Sequence, residues 1–236
     1  EQAVRRRRGR PHAAEPTSPS DRHATFRTMV EMLTSAPRRL LLPPGPIKPR
    51  LRGVSHKYAF FASLACGAAL IVFASDGRAR LAVAIYAVAV SALFGTSALY
   101  HIVTWRPRAR RWMRRLDHSM IFVLIAGTYT PVALLALKGA LASAILIVVW
   151  AGAAGGVVFK LLWIDAPKWL LATIYLALGW VSAVILGQLP AAIGWMGVAG
   201  LAAGGVLYSL GAVVYASGRP NPAPRVFGYH EVFHAL

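Results

Sequence analysis

Leu141–Leu162 reads LASAILIVVWAGAAGGVVFKLL, an apolar run whose one charge, Lys160, stands near its end. The hydrocarbon core of a bilayer takes roughly 20 helical residues to cross. The run is apolar on every side, so it predicts a membrane span and not a surface helix with one wet face. Runs of the same kind stand at Tyr58–Ala74, Leu81–Val103, Asp117–Leu137, Trp169–Leu186 and Ala191–Ala216. A further one begins near Val226 and meets Leu236 at about half a span. The fold class these predict is all-α: a polytopic transmembrane seven-helix bundle with its seventh helix truncated. Gly152-x-x-x-Gly156 and Gly200-x-x-x-Gly204 would allow close helix approach.

Composition points the same way. Hydrophobic residues make up 57% of the 236 residues and charged ones only 14%, whereas a soluble domain carries roughly a quarter. A net charge of +18 would ordinarily raise nucleic acid as a partner. Here half of the 26 Lys and Arg residues precede Tyr58, in a segment rich in Arg and Pro that lacks apolar periodicity. We therefore expect no nucleic acid and read residues 1–50 as a basic, disordered cytoplasmic tail, with residues 51–236 as the transmembrane domain. The competing view of the tail is a start placed too far upstream of Met29 or Met32. The single cysteine, Cys66, excludes an internal disulfide and a cysteine-cluster metal site.

Orientation follows from the connections between spans. The loop Thr104–Leu116 carries Arg106, Arg108, Arg110, Arg111, Arg114 and Arg115, and Lys160–Lys168 and Arg219–Arg225 are also basic. They alternate with connections that hold Lys138 alone or, between Leu186 and Ala191, no charge at all. The positive-inside rule then puts the N-terminus in the cytoplasm of a plasma-membrane protein. The loop with Asp76, Arg78 and Arg80 is the mild exception. Anionic headgroups are the expected partners of the tail and of the Arg106–Arg115 loop.

Ionisable residues at span ends are costly and therefore functional candidates. His101 ends the second span, with Ser97 one turn earlier on the same face. Asp117 opens the third, where a carboxylate at a helix start beside arginines is also a structural expectation; neighbouring His118 points elsewhere and is given no role. His230-Glu231-Val232-Phe233-His234 places two imidazoles on one face at i and i+4. The spelling is H-E-x-x-H, the zincin pattern in which Glu is the general base; the alternative is two interfacial histidines with Glu231 paired to an arginine. The alternating directions of the spans bring His101, Asp117, His230 and His234 to one side of the membrane. Three histidines with a carboxylate nearby is the composition of an open catalytic zinc site.

At these residues the sequence resembles the hemolysin III family, of the progestin and adipoQ receptor superfamily. The resemblance rests on Pro49-Arg50-Leu51-Arg52-Gly53 with His56, Ser97-x-x-x-His101, Asp117, and Ile125-Ala126-Gly127-Thr128-Tyr129-Thr130-Pro131. Tyr208-x-x-Gly211 with Tyr215, and then Pro220 through His234, complete it. It implies seven transmembrane helices and a zinc ion near the cytoplasmic face, with His101, His230 and His234 as ligands. On that reading Asp117 holds the water on the ion, Ser97 supports Asp117, and the zincin spelling is coincidental. The resemblance implies first a zinc-dependent hydrolase of a membrane lipid amide or ester, with Asp117 as general base and Glu231 as runner-up. A sensor of membrane lipid state with structural zinc, and a cytolytic pore former, are the other two functions it leaves open.

Overall fold

The computed structural model describes residues 48–236 together with Arg27, so most of the expected tail lies outside the described residues. We label the helices α1 Val54–Val72, α2 Gly77–Ile102, α3 Pro107–Pro131, α4 Gly139–Leu162, α5 Lys168–Gly179, α6 Leu189–Ser217 and α7 Tyr229–Ala235. Helix α3 runs on through a widened turn at Val132–Ala136, and α5 through a tightened one at Trp180–Ile185. Six of these, α1 to α6 with their extensions, are long and apolar enough to cross a membrane. No strand forms among the described residues. The molecule is a helical membrane bundle.

Side-chain placement explains why a bundle forms. Large apolar residues face outward, Phe73 and Met196 each 86% exposed, which is tolerable only against lipid. Helix α1 packs on α2, α2 on α3 and α3 on α4; α5 packs on α6, α6 on α7, and α7 returns to α1. Helix α3 is the hub and touches α5 as well. Without a hydrophobic gain between helices in lipid, close packing through small residues has to hold them together. Gly156 of α4 does this for Phe122 of α3: a side chain on Gly156 would overlap the Phe122 ring. Gly152 likewise receives Leu178, and Gly127 receives Ala89. Gly200 and Gly204 meet no other atom within 4 Å, so the second small-residue pair joins no helices among the described residues.

Phe122 is 0% exposed, and removing its ring leaves a void that the α3–α4 contact cannot close. Phe122→Ala is expected to cost about 3 kcal/mol. Equilibrium unfolding in mixed detergent micelles measures this, and a loss under about 1 kcal/mol would mean that α3 is not the hub.

Three helices, α1, α2 and α3, start ahead of the hydropathy reading because charged and polar residues lead into each span. The Arg-rich segment expected as a loop is helical from Pro107, which occupies the first turn, where its missing N–H costs nothing. Arginine is a good helix former and its long stem reaches water from a helix standing near lipid. Asp117 is consequently ten residues into α3, roughly 15 Å from its start. Asp76, in the mildly charged loop, caps α2 by accepting from Ala79 N at 2.8 Å. That bond holds its carboxyl below the usual carboxylate range.

The run around Tyr129 works as a brace. The Tyr129 hydroxyl donates to the Gly179 carbonyl, where α5 tightens, and accepts from Ser182 N at 2.6 Å. Trp150 Nε1 of α4 donates to Thr130 Oγ1 at 3.2 Å. Pro131 has no N–H to give, and the widened turn follows directly after it.

Candidate metal centre

The last turn of α2, the third turn of α3 and the start of α7 converge at one end of the bundle. His101 is 7% exposed and Asp117 8%, with Ser97 buried beside them. One ring nitrogen each from His101, His230 and His234 lies within 4.8 Å of the other two. His101 Nε2 and His230 Nε2 are 3.1 Å apart. The i, i+4 pair on α7 faces one way, its ring centroids separated by 4.4 Å. Asp117 Oδ2 is 3.8 Å from His101 Nε2.

These distances suit a shared cation. Two nitrogens bound tetrahedrally to one ion at 2.0–2.1 Å stand about 3.3 Å apart, close to the spacing between His101 and His230. A neutral pair can also share one N–H···N bond at this distance, but that leaves the convergence of His234 on the same point without a reason. The three residues form a possible metal-binding group.

Glu231 looks elsewhere. Its carboxylate, on a residue 4% exposed, takes an ion pair from Arg52 Nε and a hydrogen bond from Gly228 N at 2.8 Å. A carboxylate held from both sides in this way is a structural tie. The arginine partner expected for the alternative reading of the H-E-x-x-H segment is therefore Arg52. Asp117 is not at a helix start, which removes the structural explanation of its charge as a response to the α3 dipole.

Sequence reasoning assigned no task to three residues that press on this group. Gly53 adopts φ +81°, and a side chain there would stand 2.7 Å from His101 Cβ. His56 stacks on His234, ring centroids 4.0 Å apart and planes 7° from parallel. Arg52 holds Glu231 between the two α7 histidines. Their signal was present, since the segment Pro49–Gly53 with His56 carries part of the resemblance, yet spacing alone cannot say what such a segment touches. His118 lies apart, edge-on to Tyr215 with centroids 6.4 Å apart. Part of the closing motif is explained by packing: Tyr215 lies 5.1 Å from the Phe233 ring, so α6 backs the helix that bears two of the histidines.

The chain is 35% identical over 165 residues to the Hemolysin-3 homolog of Bacillus subtilis (strain 168), covering 69% of this chain and 77% of that protein. It is 34% identical to Hemolysin-3 of Bacillus cereus, covering 69% and 75% respectively. The monocyte to macrophage differentiation factor of Homo sapiens is 28% identical over 69% of each chain. No solved structure matches. The family model for haemolysin-III related proteins matches residues 45–236. With every helix described and all three histidines inside that match, the chain belongs to the haemolysin-III related family.

Proposed function

We propose that this protein is a zinc-dependent hydrolase of the plasma membrane, acting on a lipid amide or ester from the cytoplasmic side. The observation that carries the reading is the meeting of three imidazoles, His101 buried and His230 and His234 half-buried, with Asp117, a carboxylate 3.8 Å from one of them. Three nitrogen donors without thiolate suit zinc, which takes such sets tetrahedrally and keeps a fourth position open in catalytic sites. His101, His230 and His234 would hold it. When bound, the ion supplies Lewis acidity, polarising a carbonyl and bringing water's ionisation near neutrality.

The chain's own residues supply the rest. Asp117 takes a proton from the attacking water at Oδ2 as the water oxygen adds to the substrate carbonyl carbon. It returns that proton to the leaving nitrogen or oxygen when the C–N or C–O bond breaks. Ser97, buried beside Asp117, would donate to its carboxylate and fix which oxygen faces the substrate. The cytoplasmic assignment is supported by charge: the α3 start with Arg108, Arg110 and Arg111 lies at the histidine end, and Lys138 precedes α4 at the other. That arginine belt, with exposed Trp112 among it, suits anionic headgroups, each charge worth about 1 kcal/mol near the surface.

A second reading has its own support. Because α2 and α7 each contribute ligands, the ion would tie remote parts of the chain together, which is what a structural zinc in a lipid-state sensor does. The word haemolysin belongs to the names of the Bacillus relatives; a pore would conduct ions across liposomes whether or not metal is chelated.

The test is the purified chain in vesicles carrying acyl amides and acyl esters, with neutral or phosphatidylglycerol-rich surroundings. Carboxylate release should stop on chelation, return with zinc, and rise with anionic lipid in a salt-sensitive way. Stoichiometric zinc without turnover of either class would favour the sensor. Turnover indifferent to chelation would sink the hydrolase.

A further inference from the structure

The segment from Lys48 to His56 leads into the first turn of α1 and lies outside the ligand set, yet it touches His101, His234 and the Glu231 that stands between the two α7 histidines. Its backbone pairs with the entry to α7: Arg50 N donates to Arg225 O and Leu51 N to Val226 O, both at 3.1 Å. At its start Lys48 Nζ donates to Ile102 O, at the end of α2, at 3.4 Å. The strap therefore bridges the two elements that must meet for His101 to reach His230 and His234.

We propose that this strap is a clamp that positions the ligands, with Arg52 and His56 as its working side chains; the proposal rests on the zinc reading above. Three contacts define what it does. The left-handed Gly53 lets the backbone lie directly on His101 Cβ; any side chain there would push the α2 ligand away. His56 lies flat on His234, and Phe94 of α2 backs it edge-on at 5.1 Å. His56, held between Phe94 and His234, cannot turn about its Cβ–Cγ bond, and its fixed flat face braces the His234 ring so that its nitrogen stays aimed at its partners.

Arg52 acts on the turn itself. His230 and His234 flank Glu231, and each residue of helix advances the side-chain direction by about 100°. A small rotation of α7 would thus swing both imidazoles off the site together. Arg52 on one carboxylate oxygen and Gly228 N on the other fix that rotation. Partners that orient ligands without touching the ion matter: their loss commonly weakens metal binding 10–100-fold.

The experiment is a chelator-competition titration of zinc with the full chain in detergent, followed by cobalt substitution to read coordination from visible absorption. Arg52→Ala and His56→Ala should each weaken zinc binding about 10–100-fold and change the cobalt spectrum. His56→Phe, which keeps the flat ring, should bind within about threefold of wild type. Arg52→Lys should recover part of the loss, since it offers a charge without the planar fork. Should Arg52→Ala fail to fold, Arg52→Lys and the two His56 variants still decide the matter. Variants that melt earlier without metal yet keep wild-type zinc affinity and cobalt spectrum would overturn the clamp and leave the metal centre standing. A wild-type chain that binds no zinc would overturn the centre itself.

Discussion

His230→Ala should strip the protein of its metal, taking zinc from about one ion per chain to background after dialysis against a weak chelator. A partner that merely orients a ligand is worth 10–100-fold in affinity, so the loss of a donor from a set of three should exceed about 100-fold. His101→Ala is expected to match it, because the two nitrogens stand 3.1 Å apart and neither can be replaced by a neighbour. The measurement is elemental analysis of the full chain, wild type beside both variants. Retention of stoichiometric zinc by His230→Ala would mean that the imidazoles meet for another purpose.

Asp117→Asn separates chemistry from binding. The amide is almost the same size as the carboxylate and can still pair with Ser97, so the fold and the three imidazoles should be undisturbed. What it lacks is the capacity to take a proton. Positioned acid–base groups contribute about 10²–10⁴-fold, and lipid turnover should fall by that factor while zinc content stays at one per chain. Ser97→Ala should have a smaller effect in the same direction, since it leaves the base in place but unoriented. A fully active Asp117→Asn with normal zinc would remove Asp117 from the proposed reaction.

How much of this could be read from sequence varies by element. Five of the six long spans were legible to within a few residues, because twenty apolar residues in a row have few other uses. The histidine group was legible because charged or ionisable side chains at span ends are costly and must be explained. Helix α3 was misjudged at its start: hydropathy stops where arginine begins, whereas the helix does not, and Asp117 was taken for an opening residue when it is ten residues inside. The strap was recognisable as a motif but mute about its contacts. Gly53 against His101, His56 on His234 and Arg52 on Glu231 are all pairings between segments remote in the chain, the last spanning 179 residues. Local spacing carries no trace of such distances.

The 129-residue gap between His101 and His230 has a consequence for biogenesis. At about 5–20 residues per second, a ribosome needs on the order of 10 s to travel from one to the other. Throughout that interval α2 is already made while His101 waits without its partners. On the proposed metal reading the centre cannot be charged as each helix emerges; loading has to wait until α7, which carries His230 and His234, has left the translocation machinery. On that same reading, cells short of the ion would accumulate chains whose α7 is made but unlocked, and quality-control proteases would meet the protein at that stage.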